Sequence, residues 1–191
     1  MKVVAFNGSP RRKGNTEILI NTVFSALQNS GIETELVQLG NKLVHGCTAC
    51  GKCKEIQNGK CHIKNEHLNF CIEKMIEADG ILIGSPVYFA DVTTEVKALM
   101  DVAGYVTRAN GHLLKRKVGA GVVAVRRGGQ LHTFESLNNF FLINQMIVPG
   151  SSYWNFAFGR NPGDVLHDEE GMQTLKTLGE NMAWLMKRIG H

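Results

Sequence analysis

The sequence of 191 residues has little of what marks disordered or membrane-spanning chains. It holds only four prolines and 20% charged residues, while 43% of its residues are hydrophobic, and it contains no internal repeat or low-complexity tract. This composition predicts one globular domain over residues 1–191. No segment approaches the roughly 20 apolar residues of a membrane helix. The opening apolar run, Met1–Phe6, is shorter than the ~7–15-residue core of a secretory signal. We therefore expect a cytoplasmic protein without a membrane partner.

The sequence also lacks a clear nucleic-acid-binding pattern. Its formal net charge is +4, and its basic residues occur in short scattered groups such as Arg11–Lys13, Lys115–Lys117 and Arg126–Arg127. No aromatic residues are interleaved with these groups, as they often are where single-stranded nucleic acid stacks on a protein. The pattern predicts a solvated surface and no nucleic-acid partner.

Two common phosphate-binding motifs are absent from the first glycine-containing loop. The dinucleotide fingerprint G-x-G-x-x-G would require a second glycine after Gly8, where Ser9 and Pro10 stand instead. A Walker A loop requires Gly-Lys-Ser/Thr, whereas Gly14 is followed by Asn15. A pyrophosphate or triphosphate site of either type is thus excluded.

What the sequence does have is a regular alternation of short apolar runs with amphipathic stretches of helix length. The predicted strands are Lys2–Phe6, Glu33–Leu39, Ile81–Ile83, Lys117–Val125 and Met146–Val148. The predicted helices are Thr16–Gln28, Leu68–Ala78, Thr94–Val106, Leu131–Asn144 and Glu169–Arg188. This order predicts the α/β class, as a flavodoxin-like, doubly wound, five-stranded parallel sheet with helices on both faces. A Cys-rich insertion, about residues 40–65, interrupts the alternation, and connections of that length are often functional.

The loop between the first strand and the first helix is a candidate anion site. Free N–H groups and the helix dipole favour negative charge at a helix N-terminus. Ser9, Asn15 and Thr16 can add side-chain hydrogen bonds, and Arg11 adds a full charge. These features suit a terminal phosphate monoester. The alternative is an ordinary polar turn in which Asn15 or Thr16 caps the helix.

The string Gly8-Ser9-Pro10-Arg11, followed by Gly14-Asn15-Thr16, resembles the FMN-phosphate loop of NAD(P)H-dependent FMN reductases and iron-sulfur flavoproteins. A second string, Gly84–Phe89 followed by Lys97 and Asp101, agrees with it. The resemblance covers nearly the whole chain and implies bound FMN. It departs from the family at Val102, where relatives carry arginine.

The resemblance also implies which residues surround the flavin ring. The loop after the third strand would wrap the ring, and the loop after the fourth strand would reach its pyrimidine side. These positions are Pro86, Val87, Tyr88 and Phe89 in the first loop, and Arg126, Gly128 and Gly129 in the second. For the second loop, a surface turn with two solvated arginines is the alternative.

Four cysteines, Cys47, Cys50, Cys53 and Cys61, form a compact C-x2-C-x2-C group with a fourth member after seven residues. Structural disulfides are not favoured in the cytosol, so this spacing indicates metal or redox chemistry. It permits a [4Fe–4S] cluster and resembles the cysteine motif of iron-sulfur flavoproteins. A zinc site, unligated thiols and a redox-active disulfide remain as alternatives. The fifth cysteine, Cys71, is predicted to be a packed core thiol.

The resemblance implies an FMN-dependent oxidoreductase that takes electrons from NAD(P)H. It would pass them to a small acceptor such as a quinone, free flavin or nitro compound, or singly through an iron-sulfur cluster. The first alternative is a non-enzymatic electron carrier between redox partner proteins, and the second is a zinc-dependent binding module without FMN. The surplus aromatic surface of Tyr153–Phe158 predicts a homodimer or homotetramer that completes the flavin pocket.

Overall fold

The computed structural model describes residues 1–190 and contains one sheet of five parallel strands. The strands are β1 (Lys2–Asn7), β2 (Glu33–Gln38), β3 (Gly80–Pro86), β4 (Val118–Val125) and β5 (Phe156–Phe158). They lie in the order β2-β1-β3-β4-β5, with every neighbouring pair parallel. This is the strand order of flavodoxin-type sheets, so the predicted α/β fold class is confirmed.

Helices cover both faces of the sheet, as predicted. They are α1 (Asn15–Asn29), α2 (Lys52–Ile56), α3 (Glu66–Glu77), α4 (Thr94–Ala109), α5 (Gln130–Ile143) and α6 (Glu169–Ile189), with a 3₁₀ turn at Asp164–His167. Side chains of α1 and α6 pack on one face of the sheet, and those of α3, α4 and α5 pack on the other. Because both faces are covered, β3 and β4 read as continuous apolar runs and are almost wholly buried. Within the described residues, none of these helices is both long and apolar enough to span a bilayer.

The prediction of the fifth strand at Met146–Val148 is wrong. Only Ile147 pairs there, in a single bridge with Val118 at the start of β4. Pro149 and Gly150 follow, and because proline has no N–H to donate, the pairing ends. The chain leaves the sheet and returns as β5, which pairs with the last three residues of β4. Part of the predicted aromatic loop is therefore the edge strand.

Candidate functional site

The loop after β1 is held between β3 and the start of α4. The N–H of Gly8 donates to the carbonyl of Gly84 at 2.8 Å, and the Thr93 hydroxyl donates to the Gly8 carbonyl at 3.0 Å. A Cβ atom on Gly8 would lie 2.2 Å from a methyl carbon of Val96. Only glycine fits this close approach, and the loop is thereby placed at the carboxyl edge of the sheet.

Short-range hydrogen bonds then shape the loop around its own side chains. The N–H of Ser9 donates to Asn7 Oδ1, and the N–H of Arg11 donates to Ser9 Oγ at 3.2 Å. The N–H of Lys13 donates to a carboxylate oxygen of Glu17, in the first turn of α1. The loop thus ends at a helix N-terminus whose first N–H groups have no partner within the helix.

The Asn15 side chain has a different position from the one expected of a phosphate ligand. Its Nδ2 donates to the carbonyl of Asn161 at 2.9 Å, and its Oδ1 accepts from the N–H of Gly163 at 2.8 Å. Both ends of the amide therefore hold the loop that follows β5. In consequence that loop, with Arg160, lies beside the loop after β1.

These elements enclose a cavity of about 240 Å³ at the carboxyl edge of the sheet. It is lined by the predicted residues Ser9, Arg11, Asn15, Thr16, Pro86, Val87, Tyr88 and Arg126, together with Ala124, Gly159, Arg160 and Pro162. The lining carries three guanidinium groups and, among the described residues, no carboxylate. The lining combines hydroxyl and cationic groups (Ser9, Thr16 and the arginines) with apolar ones (Pro86, Val87 and Ala124). This arrangement fits an anionic group joined to a flat apolar one.

Three of the residues predicted to contact the cofactor do not line the cavity: Phe89, Gly128 and Gly129. Phe89 projects fully into solvent from a two-residue turn, in which the backbones of Tyr88 and Asp91 exchange two hydrogen bonds. Gly129 supports this turn from behind, because a Cβ atom on it would lie 2.7 Å from the Cα of Ala90. Gly129 therefore helps to position the turn and does not itself line the cavity.

The Phe89 turn also stores backbone strain. Phe89 and Ala90 have φ angles of +47° and +64°, a region that the turn type normally fills with Asn-Gly or Gly-Gly. We expect Phe89→Gly to raise the free energy of unfolding by about 0.5–1 kcal/mol. The relief of left-handed strain exceeds the entropy that glycine adds to the unfolded chain. Denaturant titration measures this. Phe158→Gly, at a less exposed site in the extended strand β5, should instead lower stability. A loss of stability in Phe89→Gly would contradict the assignment of strain.

The four cysteines of the insertion surround a second, smaller cavity. Cys47, Cys50, Cys53 and Cys61 all line it, with an apolar wall from α4 formed by Val102, Tyr105 and Val106. Among residues 1–190, no three His, Cys, Asp or Glu side chains stand where they could together hold a metal ion. The structure thus brings the four predicted cysteines round one space.

Two asparagines hold the backbone of the segment that carries the four thiols. Neither of them was identified from the sequence. Asn69 on α3 accepts from the N–H of Cys61 at 2.8 Å and donates to its carbonyl at 2.9 Å. Asn110, at the end of α4, accepts from the N–H of Gly59 and donates to the carbonyl of Cys53. The only sequence signal was a polar residue on an otherwise apolar helix face at Asn69. These amides fix the backbone of α2 at Cys53 and of the segment after it at Gly59 and Cys61.

The thiols differ in their ionisation. A hydrogen bond from the backbone N–H of Lys52 lowers the pKa of Cys50, whereas burial raises the pKa of Cys61, and the charges of the three other thiolates act in the same direction. Anionic sulfurs in one space repel each other, and a bound cationic group would remove that repulsion. Cys71 is separate from the set. It lies in the core, as predicted, and burial raises its pKa to about 12.

The two cavities share no lining residue, but α4 lies next to the thiol cavity and begins at the loop after β1. Thr93, just before α4, touches the loop after β1, while Val102 begins the apolar wall of the thiol cavity. The eight residue steps from Thr94 to Val102 correspond to about 12 Å of helix. Val102 is also the position at which the resemblance predicts arginine. Here an apolar side chain faces the thiols in place of a cation.

Comparisons with known proteins agree with this geometry. The sequence model described as NADPH-dependent FMN reductase matches residues 1–161. An iron-sulfur flavoprotein of Methanocaldococcus jannaschii is 41% identical over 196 aligned positions, which cover 99% of each chain. The resemblance predicted from the two loop motifs is confirmed.

Solved structures confirm the fold at much lower identity. An NAD(P)H:quinone oxidoreductase from Methanothermobacter marburgensis superposes with a TM-score of 0.68 at 15% identity, covering 95% of this chain and 96% of that one. A flavodoxin from the domain Archaea superposes with a TM-score of 0.63 at 15% identity, covering 98% and 99%.

Proposed function

Because the chain belongs to the NADPH-dependent FMN reductase family and is a flavin oxidoreductase, we propose that it binds FMN in the cavity after β1, takes electrons from NAD(P)H and passes them to a small acceptor or to an iron-sulfur cluster. One observation carries the proposal. The cavity lies at the N-terminus of α1 and is lined by three arginines, by no carboxylate among the described residues, and by the apolar Pro86, Val87 and Ala124. A phosphate monoester joined to a planar ring has this distribution of charge and polarity.

Bound FMN would supply the redox chemistry, accepting a hydride and releasing electrons. The protein's own groups would bind and orient it. Ser9, Arg11 and Thr16 would contact the phosphate, and Arg160 would add a second cation from the opposite side. The backbone from Pro86 to Tyr88 would lie against the ring. No side-chain acid or base is assigned, because hydride transfer to a flavin requires none.

Cys47, Cys50, Cys53 and Cys61 would hold a [4Fe–4S] cluster, whose chemistry is the transfer of single electrons. The donor set supports this group, because four thiolates are its usual protein ligands and all four cysteines line one cavity. The apolar wall from α4 would shield the cluster from water on one side.

The test of this function is direct reduction of the bound flavin. We expect NADH or NADPH to bleach the visible absorption of the FMN-loaded protein without any added reductase, under anaerobic conditions. Dithionite serves as the positive control for complete reduction. A protein that dithionite bleaches, but that neither nicotinamide nucleotide bleaches, would not be an NAD(P)H-dependent reductase.

A second candidate is a non-enzymatic carrier that exchanges electrons between partner proteins. The exposure of Cys47 and Cys50 favours it, since two members of the thiol set are accessible from outside. The bleaching experiment separates the two functions, because a carrier requires a partner reductase.

We also propose that the protein forms a homodimer or homotetramer. The cavity of about 240 Å³ is below the roughly 300–1,000 Å³ usual for a complete ligand pocket. Tyr88, Trp154 and Phe158 are each more than 40% exposed, so aromatic surface remains uncovered in one chain. We expect sedimentation velocity to give a dimer or tetramer of the FMN-loaded protein. A monomer that binds FMN tightly at micromolar concentration would overturn this proposal.

A further inference from the structure

The net charge of the protein is concentrated in the segment that carries the thiol set. Residues 42–64 contain five lysines and one acidic residue, Glu55, and so have a formal charge of +4. The rest of the chain has 16 basic and 16 acidic residues, which balance. The lysines are Lys42, Lys52, Lys54, Lys60 and Lys64. One segment therefore accounts for the whole excess of positive charge.

These five lysines are exposed and their charges are not neutralised nearby. All five side chains are open to solvent. The ion pairs found among residues 1–190 involve other cations, namely Lys2, Lys74, Lys97 and His132. An unneutralised group of like charges on a surface attracts and steers an oppositely charged partner.

Two large apolar side chains lie in the same segment. Leu43 is 92% exposed and Ile56 is 52% exposed. We call these two residues and the five lysines the lysine surface. Three of its lysines are adjacent in the chain to cysteines that line the thiol cavity: Lys52 and Lys54 flank Cys53, and Lys60 precedes Cys61. Apolar contacts within a charged polar surround are the composition of a transient protein interface.

We propose that the lysine surface docks an acidic electron-carrier protein. This proposal rests on the proposed redox role of the thiol set and adds the chemistry of the partner. A carrier bound there would lie next to the exposed Cys47 and Cys50. The positive charge would therefore surround the position at which electrons enter or leave the protein.

The composition of the surface disfavours other anionic partners. Residues 42–64 contain no Phe, Trp or Tyr on which nucleic-acid bases would stack. The segment's one helix, Lys52–Ile56, has five residues. It is too short to form the broad apolar face with which amphipathic helices enter a membrane. An acidic folded protein requires neither feature.

The test measures binding of an acidic [2Fe–2S] ferredoxin to the FMN- and iron-loaded protein, with both proteins oxidised. Stopped-flow and calorimetric titrations are run at low and high ionic strength. We expect the association rate constant to fall steeply with salt, because charge steering is screened.

The double variant Lys54→Glu/Lys60→Glu should associate about tenfold more slowly or worse. The matched control, Lys176→Glu/Lys187→Glu, changes the same number of exposed charges on α6, on the opposite face of the sheet. It should stay within about twofold of wild type.

Salt-independent binding by the wild type, or equal losses in both double variants, would overturn the proposal. Tighter salt-sensitive binding of a single-stranded oligonucleotide or of phosphatidylserine vesicles than of ferredoxin would also overturn it, and would assign the surface to that partner. Iron content and NAD(P)H bleaching are measured on every variant without ferredoxin. A variant that keeps both and loses docking supports the proposal. Failure of bleaching with intact docking would instead count against the proposed enzymatic function alone.

Discussion

Replacing any one of Cys47, Cys50, Cys53 and Cys61 with serine is expected to abolish the iron uptake of the protein. Anaerobic reconstitution should give the wild type about four iron and four sulfide per chain, and each single variant less than about one iron. Serine removes a thiolate ligand with almost no change in volume. The structure supports the same effect for each variant, because all four cysteines line one cavity. A cluster that lacks one of its four protein ligands is not retained.

The matched control is Cys71→Ala. This thiol is buried in the core, does not line the cavity and stays protonated because burial raises its pKa to about 12. The control should therefore take up iron as the wild type does. If the wild type takes up no iron, or if every cavity variant takes up as much as the wild type, the cluster assignment fails. Uptake of one zinc would make the segment a structural tetrahedral site. An aerobic preparation would not decide the matter, since such clusters are lost in air.

Removal of the Arg11 guanidinium is expected to weaken FMN binding by ~1.5–3 kcal/mol, or roughly 10- to 150-fold in Kd. Arg11 lines the cavity together with Asn15 and Thr16 of the first helical turn, and it would supply a full charge to the phosphate. Fluorescence titration of the apoprotein with FMN measures the change. Asn15→Ala should also weaken binding, but indirectly, because it releases the loop that carries Arg160.

Arg12→Ala is the control for Arg11→Ala. Arg12 is the next residue, is equally exposed and does not line the cavity, so its loss alters the net charge without altering the site. FMN affinity should change by less than about threefold. Unchanged FMN affinity in both Arg11→Ala and Asn15→Ala would show that this loop does not bind the phosphate.

The parts of the fold and site that could be predicted are those encoded by nearby residues. The apolar run Lys2–Phe6 and the polar loop after it specify a strand, a turn and a helix start within 16 residues. The cysteine spacing likewise brings three thiols together within seven residues. In each case the contacts are short in sequence, so spacing alone carries the geometry.

The parts that could not be predicted depend on contacts between distant segments. Arg160 was missed because it enters the cavity only through the link between Asn15 and the loop after β5. The fifth strand was placed too early because Met146–Val148 has strong β-propensity, while the true pairing depends on where Pro149 lets the chain rejoin β4. Phe89 was placed on the ring by the resemblance, and its outward position depends on a positive φ angle that is not expected of a bulky residue.

The hydrogen bonds of Asn15 join residues 146 and 148 positions apart in the chain. Contacts of such high contact order form late in folding, and a growing chain cannot form them at all. The cavity that we propose for the phosphate therefore closes only when nearly the whole polypeptide has been synthesised. Flavin would then be captured by the released chain rather than by a nascent one. Because a ligand that binds only the folded state stabilises it by mass action, the abundance of this protein in a cell should follow the supply of riboflavin.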